Sequence, residues 1–168
     1  SLAKAVTAVA ILRLVEQDRL ALSDHAFEIL AHLEPPPGRS KDPRLATITI
    51  AHLLHHEGGW DRGESGDPMF WSRRICQELG IPGPATADDT LYYMLGQPLD
   101  FDPGTDYAYS NLGYSILGRV IEQVTGMSYE SYLRDEVLAP MGIAGMELGR
   151  TLLIFKIAWC LMFKAKQS

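Results

Sequence analysis

The chain has 168 residues, and its 15 basic and 21 acidic side chains leave a net charge of −6. A hydrophobic content of 46% and a charged content of 21% are typical of a globular protein and exclude a wholly disordered chain. The length fits one domain of roughly 100–200 residues. The acidic balance argues against a general nucleic-acid binder, in which basic residues would be clustered.

The first part of the chain predicts two helices followed by a loop. Residues 1–33 lack Gly and Pro, and a broad apolar stripe predicts a helix over about residues 2–17 that is buried on most sides. Asp24 is expected to cap a second, short helix, and the proline-rich segment 34–43 is expected to be a loop. The chain begins at Ser1 inside the helical pattern, with no initiator Met and no visible signal peptide, so we expect it to be cut from a longer protein.

Short helices are also predicted for the middle of the chain. Thr49 is placed as the N-cap of a helix that Gly58 and Gly59 would end. A further helical stretch is predicted near residues 71–79, within a segment that is otherwise rich in Gly, Pro, Asp and Ser.

A capping pattern marks the next helix, which is predicted to run through residue 95. Thr86 and Asp89 have the spacing of a capping box. Asp88 and Asp89 also have the composition of a catalytic carboxylate pair. Their place in a first helical turn, where the helix dipole favours anions, indicates capping instead.

A long helix and a shorter one are predicted between residue 112 and Pro140. After a loop over residues 98–105, a helix is predicted from about Leu112 to Thr125, stopped by Gly126. Ser128 is expected to cap another helix that ends before Pro140 and turns three side chains inward, namely Tyr132, Leu133 and Val137. The pattern predicts six or seven helices and no convincing run of strands.

Residues 151–168 differ in composition from residues 1–150. They contain three lysines and no acidic residue, and 11 of the 12 residues from Leu152 to Phe163 are apolar. A membrane-spanning helix needs about 20 apolar residues, so this run is too short to cross a bilayer. Three interpretations stay open: a buried helix or strand, an interfacial element that associates with a membrane, or a tail that is foreign to the domain.

Metal and disulfide sites are poorly supported. The two cysteines, Cys76 and Cys160, exclude a disulfide framework and a Cys-rich zinc site. His52 and His56 have the i, i+4 spacing of zinc ligands, but no third ligand follows in an ordered pattern. We therefore predict no metal and no organic cofactor.

The first group of residues with catalytic potential is Ser1-Leu2-Ala3-Lys4. Positions i and i+3 share one face of a helix, which would place the Lys4 amine beside the Ser1 hydroxyl. A serine hydroxyl becomes a useful nucleophile when a base takes its proton. A lysine near a helix N-terminus lies at the positive end of the dipole, which favours the neutral amine that could act as this base.

The second group is Tyr109-Ser110-Asn111, at the start of the long helix. A nearby ammonium group would favour the ionised form of the Tyr109 phenol, and the Asn111 amide offers both a donor and an acceptor. The alternative is an ordinary helix entry, with Ser110 or Asn111 as the N-cap and Tyr109 packed below it.

Taken together and in order, these groups resemble the serine β-lactamase and penicillin-binding-protein superfamily, and most closely its class C-related esterases and peptidases. Residues 48–59 resemble the family's TI-x-x-LL-x-H-x-SG segment, with Gly58 where the family often has Ser. Residues 101–114 resemble its F-x-PG…Y-SN-x-GY segment. The resemblance covers residues 1 to about 147 and continues through several further matches, namely Val124-Thr125-Gly126, Tyr129, Tyr132 and Leu138-Ala139-Pro140-Met141-Gly142.

The resemblance implies a role for each matched residue. Ser1 would be the acylated nucleophile, Lys4 its proton acceptor or relay, Tyr109 the partner base, and Asn111 the group that orients the substrate. His56 and Gly59 would be scaffold residues under the site. The implied substrates are esters, D-amino-acid peptides or β-lactams, which react through an acyl-enzyme.

The same resemblance implies an α+β parent fold, an antiparallel sheet beside a helical region. Residues 1–150 would be chiefly the helical region, so the chain itself would be predominantly α, with 151–168 as an atypical tail. The family's third motif, K-[ST]-G or H-x-G on a strand after Tyr-x-Asn, does not follow Asn111 in this sequence. Loss of one oxyanion donor typically costs about 10²–10³ in rate. We therefore keep a second prediction as an alternative to the hydrolase: the chain is a weakly active or inactive fragment, or a binding or scaffold relic.

Overall fold

The computed structural model describes residues 2–144, with side chains from Ala3 onward, and this part of the chain is predominantly α-helical. The α-helices within these residues are α1 (Leu2–Glu16), α2 (Ala26–Ile29), α3 (Ile50–Leu54), α4 (Ser72–Leu79), α5 (Ala87–Met94), α6 (Asn111–Thr125) and α7 (Tyr129–Tyr132). The chain continues from α7 into a π-helical turn, Leu133–Leu138. The described residues also contain three short 3₁₀ turns: Pro43–Thr47, Pro68–Phe70 and Ala139–Met141.

The predicted helical organisation is confirmed for the described residues, where the one β-type contact is an isolated antiparallel bridge between His25 and Thr49. Helices α1 and α6 form the centre of the structure, and α2, α3 and the π-helical turn pack against them. The core side chains include Ile11 and Leu14 from α1 and Leu112, Ile116 and Ile121 from α6, all almost completely buried.

Helix α1 is less completely covered than the width of its apolar stripe predicts. Val9 and Leu12 are 45% and 50% exposed, so burial on most sides is wrong for this face within the described part of the chain. The opposite face packs on α6, and on this side Thr7 Oγ1 lies 2.6 Å from Tyr129 Oη, at the start of α7, in the interior. Burial raises the pKa of Tyr129 to about 12, which keeps this phenol neutral.

Most helix starts follow the predicted capping residues. Thr49 and Thr86 both form capping boxes, with His52 and Asp89 respectively as the reciprocal partners. This confirms that Asp89 is a capping residue, and Asp88 pairs with Arg119 at 2.9 Å instead of forming a carboxylate pair. The side chain of a capping residue satisfies backbone N–H groups that the first helical turn leaves unpaired.

Two predicted helix boundaries are wrong. Asp24 does not cap α2: its carboxylate accepts from Ala21 N–H at 2.7 Å, and the N-cap of α2 is His25, which makes no side-chain cap. Helix α3 ends before the expected glycines, because His56 already takes the left-handed conformation with a φ of 63°. Glycine is the expected residue at such a stop because it adopts positive φ without a steric cost.

Candidate active site

Lys4 and Asn111 meet at the junction of α1 and α6. Lys4 lies in the first turn of α1, and Asn111 is the first residue of α6, 107 positions later. The Lys4 ammonium donates a hydrogen bond to Asn111 Oδ1 over 2.5 Å, and both side chains are partly buried. A charge-assisted hydrogen bond of this length is among the stronger polar contacts in proteins, so it fixes the Lys4 amine at the mouth of α6.

Tyr109 lies against the same amine. Lys4 Nζ is 4.7 Å from the centroid of the Tyr109 ring, and Arg62 Cζ is 5.0 Å from it. Cations within about 6 Å of an aromatic ring are attracted to its π-electrons. The structure therefore brings Lys4, Tyr109 and Asn111 together.

The backbone conformation of Ser110 explains why the side chains of Tyr109 and Asn111 both point toward Lys4. Ser110 is extended, with φ −125° and ψ 121°, and its hydroxyl accepts from Gly113 N–H at 3.1 Å. Ser110 is thus the N-cap of α6, which decides between the two residues that the sequence left open. In an extended segment alternate side chains face the same way, so Tyr109 and Asn111 both reach Lys4 while Ser110 is buried.

His56 holds this segment from below. Its Nδ1 accepts from Ser110 N–H at 3.2 Å, and its backbone oxygen accepts from Ala108 N–H at 2.9 Å. The imidazole also packs against two tyrosine rings, with centroid distances of 4.7 Å to Tyr109 and 5.1 Å to Tyr114. These contacts connect the end of α3 to the start of α6.

The environment of His56 favours its neutral form. Burial, and then the positive charge of Lys4, lower the pKa of His56 below its usual value of 6.5. A neutral imidazole has one unprotonated nitrogen that can accept a hydrogen bond. The acceptor role toward Ser110 and the lowered pKa therefore agree.

Gly59 supports the neighbouring loop. It has a φ of 100°, and a Cβ atom at this position would lie 2.8 Å from the Phe101 oxygen. The Gly59 oxygen accepts from Asp100 N–H at 2.8 Å. Any larger residue would therefore collide with the Phe101 oxygen and adopt an unfavourable backbone conformation.

Asp67 is a site residue that the sequence reasoning missed. Asn111 Nδ2 donates to Asp67 Oδ2 at 2.6 Å, which places the carboxylate on the side of the amide opposite Lys4. The Asp67-Pro68 pair is a signal for the start of a short helical turn. That local signal could not indicate a contact with a residue 44 positions away.

Comparison with known proteins identifies the family of the chain. A family model described as Beta-lactamase matches residues 1–156. The chain belongs to the Beta-lactamase family. Among its curated relatives, the probable fimbrial assembly protein FimD, serogroup H1, of Dichelobacter nodosus is 34% identical over 135 residues, which cover 80% of this chain and 31% of the relative. Penicillin-binding protein 4 of Amycolatopsis lactamdurans is 30% identical over 166 residues, 94% of this chain and 38% of the relative.

The chain is also similar in fold to solved structures. EstCE1, a hydrolase with promiscuous acyltransferase activity, is 26% identical and aligns with a TM-score of 0.68 over 90% of this chain and 39% of its own. A D-stereospecific amidohydrolase from Streptomyces is 27% identical, with a TM-score of 0.67 over 88% of this chain and 43% of its own. Measured against the first curated relatives, this Beta-lactamase-family chain spans about a third of their length.

Some predictions fall on positions that the structure does not describe. Ser1, the predicted nucleophile, lies just outside the described residues, as do the apolar segment 152–163 and Cys160. The role of Ser1 and the nature of the segment 151–168 in this Beta-lactamase-family chain therefore stay predictions.

Within residues 2–144, no group of three or more His, Cys, Asp or Glu side chains is arranged to hold a metal ion. His52, one of the two histidines with zinc-like spacing, uses Nδ1 to accept from Thr49 N–H at 3.3 Å, and His56 uses Nδ1 for Ser110. In the same part of this Beta-lactamase-family chain, no helix has the length and apolar character needed to cross a membrane.

Proposed function

We propose that this chain provides the nucleophile and the proton-transfer groups of a serine hydrolase that works through an acyl-enzyme. The main support is the contact between Lys4 and Asn111, with the Tyr109 ring beside the same amine. This contact brings polar side chains that are 107 residues apart to one partly buried helix junction, and such mutual proximity is what a catalytic site requires of its groups.

In the proposed reaction, Ser1 Oγ attacks the acyl carbon of the substrate while its proton passes to the ionised Tyr109 phenol, directly or through Lys4 as a relay. Collapse of the tetrahedral intermediate breaks the bond to the leaving group, which takes a proton from Tyr109. Water then attacks the acyl-enzyme, and its proton returns through the same groups, so that Ser1 is released with its hydroxyl restored. Asn111 orients the substrate and holds the Lys4 amine.

The names of the relatives support a substrate class. They include a penicillin-binding protein, putative D-alanyl-D-alanine carboxypeptidases, a D-stereospecific amidohydrolase and a hydrolase with acyltransferase activity. These activities share the transfer of an acyl group from an ester or amide. We accordingly propose an ester, a D-amino-acid peptide or a β-lactam as the substrate, with no metal or organic cofactor.

The proposal includes an α+β parent fold, in which an antiparallel sheet lies beside the helical region described above. Residues 1–150 would form the helical part of that domain, and residues 151–168 would be an atypical tail. The exposed apolar face of α1 around Val9 and Leu12 supports an additional layer on that side, because large apolar patches are usually covered.

The experiment is to incubate the purified chain with a fluorophosphonate probe and to measure its intact mass. The proposal predicts one adduct on the wild-type chain, none on Ser1→Ala, and slow labelling of Lys4→Met and Tyr109→Phe, because the proton acceptors are lost. Tyr92→Phe is the matched control, since Tyr92 is an exposed tyrosine on α5.

Labelling that survives in Ser1→Ala would contradict the role of Ser1. A folded wild-type chain that takes no probe would contradict the hydrolase proposal and support the alternative, an inactive or scaffolding member of the family. Normal helical circular dichroism of each variant separates loss of chemistry from loss of folding.

A further inference from the structure

We propose that Asp67 is a positioning residue that orients the Asn111 amide so that its oxygen, and not its nitrogen, faces Lys4. This inference rests on the proposed function for its catalytic consequence. Its structural basis is the chain of hydrogen bonds from Lys4 Nζ to Asn111 Oδ1 and from Asn111 Nδ2 to Asp67 Oδ2, over 2.5 and 2.6 Å.

An asparagine amide has two ends of similar size and opposite polarity, so its shape alone does not decide which end faces a neighbour. The ammonium of Lys4 can only donate, and the ionised carboxylate of Asp67 can only accept. With Asn111 between them, one amide orientation satisfies both neighbours. The flipped orientation would direct N–H groups at the ammonium and an oxygen at the carboxylate, and both contacts would be repulsive.

The Asp67 carboxylate is itself held in place. Asp67 is the N-cap of the 3₁₀ turn Pro68–Phe70, and its Oδ1 accepts from Met69 N–H at 3.0 Å. Pro68 and Met69 are buried, and Pro68 has a restricted φ. One oxygen therefore anchors the carboxylate to its own turn, and the other points at Asn111.

The catalytic consequence concerns the position of the Lys4 amine. An amide that flips freely would turn the Asn111 oxygen away from the Lys4 amine for part of the time, and proton transfer depends steeply on the placement of the transferring groups. We expect Asp67→Asn to lower the rate constant for fluorophosphonate labelling by about 10- to 100-fold. Glu64→Gln is the matched control, because it removes one negative charge from the same loop at an exposed side chain.

A reciprocal exchange tests the hydrogen-bond polarity directly. Asn111→Asp alone would bring two carboxylates together across the present 2.6 Å contact, and should slow labelling strongly. Adding Asp67→Asn restores a donor facing an acceptor, while the amide oxygen introduced at position 67 can still accept from Met69 N–H. We expect the double variant to be labelled at least about 10-fold faster than Asn111→Asp alone.

An NMR measurement that does not depend on catalysis separates this inference from the proposed function. In ¹⁵N-labelled protein, the Asn111 side-chain amide should give a pair of signals with one proton shifted downfield by its bond to the carboxylate. This shift should be lost in Asp67→Asn and kept in Glu64→Gln. If the wild-type chain takes no probe, the hydrolase proposal fails, and the amide signal still tests the orientation.

The positioning role would be overturned if Asp67→Asn matched Glu64→Gln in both labelling rate and amide signal. It would also be overturned if the double variant were labelled no faster than Asn111→Asp. A folded Asp67→Asn chain with a changed amide signal and slower labelling would support it.

Discussion

Helices α3 and α6 are both followed by a residue with a left-handed backbone, and the two positions use different residue types. Helix α6 ends at Gly126, with a φ of 71°, and a Cβ atom there would have no neighbour within 4 Å. Helix α3 ends before His56, with a φ of 63°. Glycine adopts this conformation without steric cost, whereas for a residue with a Cβ atom it costs about 1–2 kcal/mol.

The difference shows where a side chain is needed more than an unstrained backbone. At Gly126 only the turn matters, because its N–H closes the helix on the Glu122 oxygen at 2.8 Å. At His56 the ring accepts from Ser110 N–H and packs on Tyr109, so the strained residue holds the segment that carries two predicted site residues. Backbone strain of this kind is found preferentially at functional sites.

The largest effect is expected for His56→Ala. This change keeps a Cβ atom in a left-handed conformation and removes the ring, so Ser110 N–H loses its acceptor and Tyr109 loses its support. We expect a loss of about 2–3 kcal/mol in the free energy of unfolding and about a 100-fold fall in the rate constant of fluorophosphonate labelling. Urea unfolding and probe kinetics measure the two quantities. Unchanged labelling would show that the ring does not hold Tyr109.

Gly126→Ala should lower the stability of the protein without affecting probe labelling. Ala has open space for its Cβ atom but must take positive φ, so we expect a loss of about 1–2 kcal/mol in unfolding free energy. Labelling by the probe should be unchanged, because the turn lies at the far end of α6 from Asn111. A clear loss of labelling would contradict the separation between the two turns.

His56→Gly sharpens the comparison by separating strain from side-chain contacts. It should be as poor as His56→Ala in probe labelling, since both lack the ring. It should nevertheless be more stable than His56→Ala by about 1 kcal/mol, because glycine relieves the left-handed strain. Equal urea midpoints for the two variants would argue against strain at this position.

The smallest effect is expected from pH. The pKa of His56 is below 6.5 in the folded chain and returns to its ordinary value on unfolding, so the unfolded state binds the proton first as the pH falls. The stability linked to His56 is therefore fully present above pH 6.5 and is lost as the pH falls from there through the folded pKa. The wild-type urea midpoint should decrease more between about pH 7.5 and 5.5 than that of His56→Gln. Parallel curves would contradict this linkage.

The local elements could largely be predicted from the sequence because their causes are local. The capping boxes at Thr49 and Thr86, the helix cap at Ser128 and the stop at Gly126 depend on residues within one turn. The prediction of Asp24 as a cap is wrong because its carboxylate has a closer backbone donor at Ala21. The exposure of Val9 and Leu12 could not be predicted, since an apolar stripe does not say which of its sides a neighbour covers.

The sequence by itself determined the helical character of residues 2–144, most helix ends, and the residue types at Lys4, Tyr109 and Asn111. Periodicity, capping and a recognisable order of motifs are properties of the chain read one segment at a time. Only the tertiary structure decided that Lys4 bonds to Asn111, that His56 adopts a strained backbone to support Tyr109, and that Asp67 faces the Asn111 amide. These contacts join residues that are far apart in the sequence, and packing of α1 and α3 against α6 brings them together.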